Sequence, residues 1–318
     1  MSSPAPERAT WGSLVRAARD RLRAAGIESP EVEADLLMRQ ALRRPGDALP
    51  TKAWLLPRRG QNADDALRER FEALVGRRVT GEPSAYITGE REFYGLAFDV
   101  TPDVLIPRPE TELLVGTAVK WARGSSGHFT TYPPPPSTQV FLNSGRKVTD
   151  GLTIVDVGTG SGAIAVALAR QLPAAAIIAT DVSWSALAVA RRNARRHGVE
   201  GRISFRHGDL LMPVDGYVDL IVANLPYVTE VDWRALSPEV RDHEPALALR
   251  GGDDGLALIR ALLSHAPRYL RPAGAVCLEF GAGQAGDIEA AARTSFPTGA
   301  VDVFEDFAGI PRVLLARC

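Results

Sequence analysis

Residues 154–162 read Ile154-Val155-Asp156-Val157-Gly158-Thr159-Gly160-Ser161-Gly162, and the fold follows from how that run is parsed. Ile154–Val157 is a strand, the closely spaced glycines follow at once, and Ala163–Arg170 is helical. A glycine-rich turn between a strand and a helix lets a ligand come up against the backbone. The rhythm then repeats. Ala176–Thr180 is a second strand ending at Asp181, Ser183 caps a helix over 184–197, Arg202–Arg206 is a third strand and Leu220–Ala223 a fourth. Strand alternating with helix predicts an α/β fold, a mostly parallel sheet covered on both faces.

The glycine spacing narrows the ligand. Gly162 comes too early for the dinucleotide pattern Gly-x-Gly-x-x-Gly, and no basic residue waits for a pyrophosphate. Asp181, at the end of the second strand, stands about where a Rossmann-like unit places its ribose-binding acid. Gly158, Thr159, Gly160, Ser161, Gly162 and Asp181 are therefore expected to hold an uncharged-sugar or amino-acid-bearing nucleoside. After the third strand, Asp209 is placed to accept from an adenine amino group, with Leu210 against the ring; a simple turn aspartate is the alternative.

The fourth strand stops at Asn224-Leu225-Pro226-Tyr227. Asn224 carries a side-chain acceptor, and Leu225 offers a backbone carbonyl that Pro226 restricts by forcing the preceding residue into an extended conformation. Two adjacent acceptors suit an NH2 group, which presents two donors. Tyr227 adds a flat face for stacking. Such a site would hold an amide or exocyclic amine with its lone pair turned outward. An Asn-x-Pro turn is the plain alternative. What favours the chemical reading is that this loop would share with the glycine loop one crevice at the carboxyl ends of the strands, where open α/β sheets bind ligands.

The remainder bounds the class. With 318 residues there is room for two domains. A formal net charge of -1 lacks the electrostatic footprint of a nucleic-acid binder. Cys277 and Cys318 allow no disulfide framework and no zinc spacing, and Cys277 lies in an apolar run that reads as core. No metal site is expected. No signal peptide or membrane-spanning run is visible, so a cytoplasmic protein is expected. Residues 1–9 read as loose. Leu14, Ala18, Leu22 and Ala25 keep a helical period that Gly26 ends; Ser29-Pro30-Glu31 opens a second helix with Val32, Leu36, Leu37 and Ala41 on one face; Leu67, Phe71, Leu74 and Val75 mark a third. Residues 1–80 thus form a small N-terminal helical bundle, 81–105 a linking β-hairpin turning at Gly95-Leu96, and 106–318 the α/β domain. The Gly/Ser/Thr/Pro-rich stretch 124–150 reads as a flexible insertion, more a tolerated surface loop than a ligand for a proline-binding domain.

With these residues in view the chain resembles the HemK-type (PrmC-type) peptide chain release factor N5-glutamine methyltransferases. The resemblance runs from about Gly81 to Arg317 apart from the insertion, and the N-terminal bundle fits it too. It is carried by Glu82-Pro83…Tyr86-Ile87, Leu105-Ile106-Pro107-Arg108-Pro109-Glu110-Thr111-Glu112, Asp156–Gly162, Glu244-Pro245…Gly251-Gly252…Asp254-Gly255-Leu256, and Leu278-Glu279-Phe280-Gly281. Two departures stand out: Leu225 replaces the family's usual proline, and Leu210 stands where relatives often have an aromatic.

The resemblance implies a Rossmann-like class I methyltransferase sheet using S-adenosyl-L-methionine. Its substrate would be the glutamine of the Gly-Gly-Gln motif of class 1 peptide chain release factors, methylated at N5 in translation termination. Asn224, Leu225, Pro226 and Tyr227 would then be catalytic, with Asn224 also beside the cofactor. Gly158, Thr159, Gly160, Ser161, Gly162, Asp181, Asp209 and Leu210 would bind the cofactor, and Glu279 and Arg108 are either site residues or structural ones. The helical bundle would dock the release factor. A DNA or RNA amino-methyltransferase would need a cationic track for phosphates, and a non-catalytic cofactor-binding adaptor would not need an intact Asn-Leu-Pro-Tyr stretch.

Overall fold

A computed structural model describes residues 9–124 and 151–318 of the chain; the expectations for residues 1–8 and for the insertion beyond Gly124 lie outside them. In chain order the elements are α1 (Trp11–Ala24), α2 (Pro30–Leu42), α3 (Lys52–Leu55), α4 (Asp65–Val79) and α5 (Ser84–Thr88), then β1 (Glu90–Phe93), β2 (Leu96–Asp99) and α6 (Thr111–Ala122). After Gly151 come β3 (Thr153–Val157), α7 (Ala163–Gln171), β4 (Ala176–Asp181), α8 (Trp184–Arg196), β5 (Ile203–His207) and β6 (Val218–Ala223). The chain continues through α9 (Glu230–Ala235), α10 (Pro238–His243), α11 (Ala257–His265), β7 (Leu270–Glu279), α12 (Ala285–Ser295), β8 (Ala300–Glu305) and β9 (Pro311–Arg317). Residues up to Gly89 together with Pro238–His243 form one compact unit, and Glu90–Ser237 with Glu244–Cys318 the other.

The helical unit is held by an apolar centre of Leu22, Leu37, Met38, Leu55 and Phe71, all fully buried. Thr10 caps α1 and Asp64 caps α4 through side-chain oxygens that accept from Ser13 and Leu67 backbone N–H groups. Two local expectations are corrected. On α2 the buried face is Ala34, Leu37, Met38 and Ala41, while Val32 is exposed; the true face follows the 3–4 spacing from Ala34 rather than from the helix start. Ser29 occupies the N-cap position but makes no side-chain cap bond, because its backbone is left-handed at φ 49°. Ala25 also lies just past the end of α1 and is exposed rather than on its buried face.

In the second unit the hairpin turns at Tyr94-Gly95, one residue earlier than expected, with Phe93 paired to Leu96. Both turn residues have positive φ, 54° and 70°, the geometry that matches the twist of a two-residue hairpin. The hairpin is fastened to α8: Asp99 N–H donates to Asn193 Oδ1 at 2.7 Å, and Asn193 Nδ2 donates back to the Asp99 carbonyl at 2.9 Å.

The main sheet among the described residues has the order β5-β4-β3-β6-β7-β9-β8. Its pairs are parallel from β5 through β7, and β9 runs antiparallel to both β7 and β8. Side chains along the central strands alternate between two apolar layers. Ile154, Leu220, Val222 and Cys277 face the layer containing α6 and α7. Val155, Val157, Ile221, Val276 and Leu278 face the layer containing α11 and α12. Burial on both faces explains why these strands are apolar nearly throughout, and Cys277 is core as expected.

Candidate active site

β3 and β6 are neighbours in register, Val157 beside Ala223, so the glycine loop and the Asn224 loop emerge side by side. The chain order reverses across this pair, which opens a crevice at the carboxyl ends of the strands. A cavity of about 440 Å³ occupies it, within the range of small-molecule sites.

The glycine loop is pinned from behind. Gly158 and Thr159 N–H groups both donate to the Thr180 carbonyl at 2.9 Å. Asp156, fully buried, accepts from the Thr159 hydroxyl at 2.6 Å and from Ala165 N–H, in the first turn of α7, at 3.1 Å. Burial pushes the Asp156 carboxyl up to about 7, against those two hydrogen bonds that favour the charged form. Gly160 has φ 54°, and a Cβ there would meet nothing within 4 Å: the loop leaves open space against its backbone. Gly162 does something else. It is not part of the cavity wall, and a Cβ on it would stand 3.0 Å from Ala190, so its small size serves the packing against α8.

Asp181 ends β4 in the wall of the cavity. Its Oδ2 accepts from Gly160 N–H and its Oδ1 from Ser183 N–H, each at 2.9 Å. Burial raises its pKa while these bonds oppose the rise. A carboxylate has about four lone-pair sites, so these bonds leave it capacity for a further donor from the cavity. Asp209 is exposed, lines the cavity and has no side-chain partner among the described residues. Leu210, beside it, is held at φ 45° by its carbonyl accepting from the Thr180 hydroxyl at 3.0 Å.

Asn224, Leu225 and Pro226 line the same cavity. Asn224 Nδ2 donates to the Thr111 hydroxyl at 2.9 Å, which leaves Oδ1 to accept from elsewhere. The Leu225 carbonyl has no donor among the described residues. The Leu225 side chain is buried and turned toward the glycine loop, 3.1 Å from where a Gly158 Cβ would be. Tyr227 stands behind the wall rather than in it, its hydroxyl donating to Glu279 Oε1 at 3.3 Å. Burial is the first cause raising both pKa values, that of Glu279 to about 7.

Residues that sequence reasoning quoted without a role, or passed over, hold this loop. Gln284 Nε2 donates to the Tyr227 carbonyl at 3.0 Å and its Oε1 accepts from Gly281 N–H at 2.8 Å. A Cβ on Gly251 would be 2.6 Å from the Pro226 carbonyl, so the Gly-Gly…Asp-Gly segment lies flat against the 226–227 backbone. Arg108 lines the cavity and pairs at 2.5 Å with buried Glu244, which also accepts from Ile106 N–H at 3.1 Å. Asn193, fully buried, donates to the Ser161 carbonyl at 2.8 Å; no local sequence signal marks it.

Comparison with known proteins adds to this geometry. The PrmC N-terminal domain model matches residues 13–89 and the methyltransferase small domain model residues 123–237. A release factor glutamine methyltransferase of Nitratidesulfovibrio vulgaris is 39% identical, the match covering 100% of this chain and 98% of the relative. One of Moorella thermoacetica is 38% identical over 97% of each chain. Among solved structures, the hMettl16 catalytic domain superposes with a TM-score of 0.51 at 16% identity, covering 76% of this chain and 81% of that one, a likeness of fold.

Proposed function

The chain belongs to the release factor glutamine methyltransferases, and we propose that it methylates the N5 amide nitrogen of the glutamine in the Gly-Gly-Gln motif of class 1 peptide chain release factors. The methyl donor in this reading is S-adenosyl-L-methionine. The observation that carries it is the pair of acceptors at the end of β6: Asn224, whose Nδ2 is engaged by Thr111, and the Leu225 carbonyl, free of donors among the described residues.

The residues present fit the cofactor. Gly158 lines the cavity and Gly160 leaves its backbone open to the cofactor, Asp181 keeps lone-pair capacity for the ribose hydroxyls, and the unpartnered Asp209 carboxylate suits the adenine amino group, with Leu210 against the ring. Thr159 and Ser161 complete the loop, and Gly162 sets its packing on α8. When bound, the cofactor supplies an electrophilic methyl group on a sulfonium centre.

The protein contributes position. Asn224 Oδ1 and the Leu225 carbonyl take the two hydrogens of the substrate amide and turn its nitrogen lone pair toward the donor side. An amide nitrogen is a weak nucleophile, so holding it in line matters more than a base. As positive charge grows on that nitrogen the same two acceptors interact with it more strongly. Neither is basic, and the proton leaves to water. Pro226 keeps the Leu225 carbonyl in an extended backbone, and Tyr227, behind the wall, does not present the stacking face expected of it but ties the loop to Glu279 through its hydroxyl. The helical unit is the docking surface for the release factor; recognition of a protein accords with the net charge of -1. The enzyme works in the cytoplasm, where termination occurs.

The test is transfer of label from S-adenosyl-L-methionine to a purified class 1 release factor, beside its Gln→Ala variant in the Gly-Gly-Gln motif. Label on the wild-type factor alone is expected. Equal label on the variant, or none on either, would overturn the assignment of the substrate.

A further inference from the structure

The site at the end of β6 works only if Asn224 turns its oxygen, and not its NH2, toward the substrate. A primary amide is almost symmetric in shape, and half a turn about its last torsion exchanges the two ends. The flipped amide would set NH2 against the NH2 it is meant to hold, donor facing donor. Something must choose between the two.

Thr111, the first residue of α6, accepts from Asn224 Nδ2 at 2.9 Å. A hydroxyl both donates and accepts, so by itself it selects neither orientation. The choice is made one step further back. The Thr111 hydroxyl also lies beside the Glu279 carboxyl, at the end of β7, and favours its ionised form, in which the side chain can only accept. With its proton committed to Glu279, Thr111 can only accept from Asn224. Tyr227 also donates to Glu279, reaching Oε1 at 3.3 Å. We propose that Thr111 and Glu279 are positioning residues that set the polarity of the Asn224 amide, an inference that rests on the methyl-transfer reading above.

A second observation separates this from mere packing. Glu279 is 1% exposed, yet its Oε2 has no hydrogen-bond partner among the described residues. A buried, half-satisfied carboxyl costs stability, and an apolar side chain of similar size would be neutral or better there. The carboxyl's use lies in what it orients.

The experiment is steady-state methyl transfer to the release factor by the full chain carrying Thr111→Val, Thr111→Ala or Thr111→Ser, with melting curves to confirm folding. For Val and Ala, kcat is expected to fall between about tenfold and 100-fold while KM for the factor and the cofactor affinity stay within about threefold. Thr111→Ser, which keeps the hydroxyl, is expected to recover most of the rate. In an Asn224→Ala background, Thr111→Val is expected to add nothing, since its effect runs through Asn224. Wild-type kcat in both Val and Ala variants, a Ser variant as slow as Val, or an undiminished loss on top of Asn224→Ala would each overturn the proposal. A wild-type enzyme that labels no release factor would instead overturn the reading beneath it.

Discussion

A Cβ on Gly255 would stand 2.1 Å from the carbonyl oxygen of Tyr227 and 2.5 Å from Gln284 Nε2. The glycine is what lets the segment after α10 lie against the backbone of the Asn224 loop, and Gln284 then closes the contact by donating to that same carbonyl. Gly255 also has φ 76°, so an alanine would be strained even without the contact. Gly255→Ala is expected to cost about 2 kcal/mol or more and to displace Tyr227. A thermal melt together with a methyl-transfer assay checks it; unchanged melting temperature and rate would show that the loop repacks freely.

Asn224→Ala removes one of the two acceptors while leaving the Leu225 carbonyl in place. Turnover is expected to drop by about 100-fold or more, the scale seen when a single transition-state hydrogen bond is lost. Stability should change little, since Asn224 is only half-buried. Single-turnover transfer at saturating cofactor and release factor measures this directly, and wild-type-like turnover would remove Asn224 from the mechanism.

Asp181→Asn keeps the shape of the side chain but presents only one oxygen, while Gly160 and Ser183 N–H groups are both offered to it. Affinity for S-adenosyl-L-methionine is expected to fall by about tenfold or more, the order of one charge-assisted hydrogen bond. Titration calorimetry on the variant is the check, and undiminished affinity would take the ribose away from Asp181.

Burial raises the folded-state pKa of Glu279 to about 7, above its ordinary value near 4.5. A carboxyl raised in this way is easiest to fold while protonated. Its contribution is therefore most favourable below the unfolded pKa and is lost as pH rises through the window up to about 7. Denaturant unfolding of wild type and Glu279→Gln at pH 5 and pH 8 should show the variant gaining about 2 kcal/mol relative to wild type at the higher pH. An equal difference at both values would mean that Glu279 is ionised without penalty.

Much of the fold is legible along the chain because its causes are local. The apolar runs at Ile154–Val157 and Leu220–Ala223 are strands buried on both faces, the Asp156–Gly162 segment is a strand-to-helix turn, and Ser183 caps α8 by accepting from Ala186 N–H. The hairpin turn lies one residue before the Gly95-Leu96 position that its pattern suggests because Tyr94, an aromatic, sits in the left-handed region next to Gly95. Nothing in the local pattern favours that over a glycine in the first turn position. The buried face of α2 differs from its local pattern for a similar reason. Val32 fits a helical period as well as Ala34 does, and only the neighbours to be packed against decide between them.

The alternation of strand and helix, the glycine loop, the acid at the end of β4 and the residues that close β6 can all be read along the chain. These follow from backbone sterics and the period of apolar side chains, both written within a few positions. That Thr111 meets Asn224 across 113 positions of sequence depends instead on how the elements pack. The same holds for the Tyr227 hydroxyl, which reaches Glu279 across 52 positions, and for Gly255, which gives way to the Tyr227 carbonyl. Hydrogen-bond polarity and close packing are properties of which elements meet, and the sheet order that brings β3, β6, β7 and the start of α6 together is what supplies them.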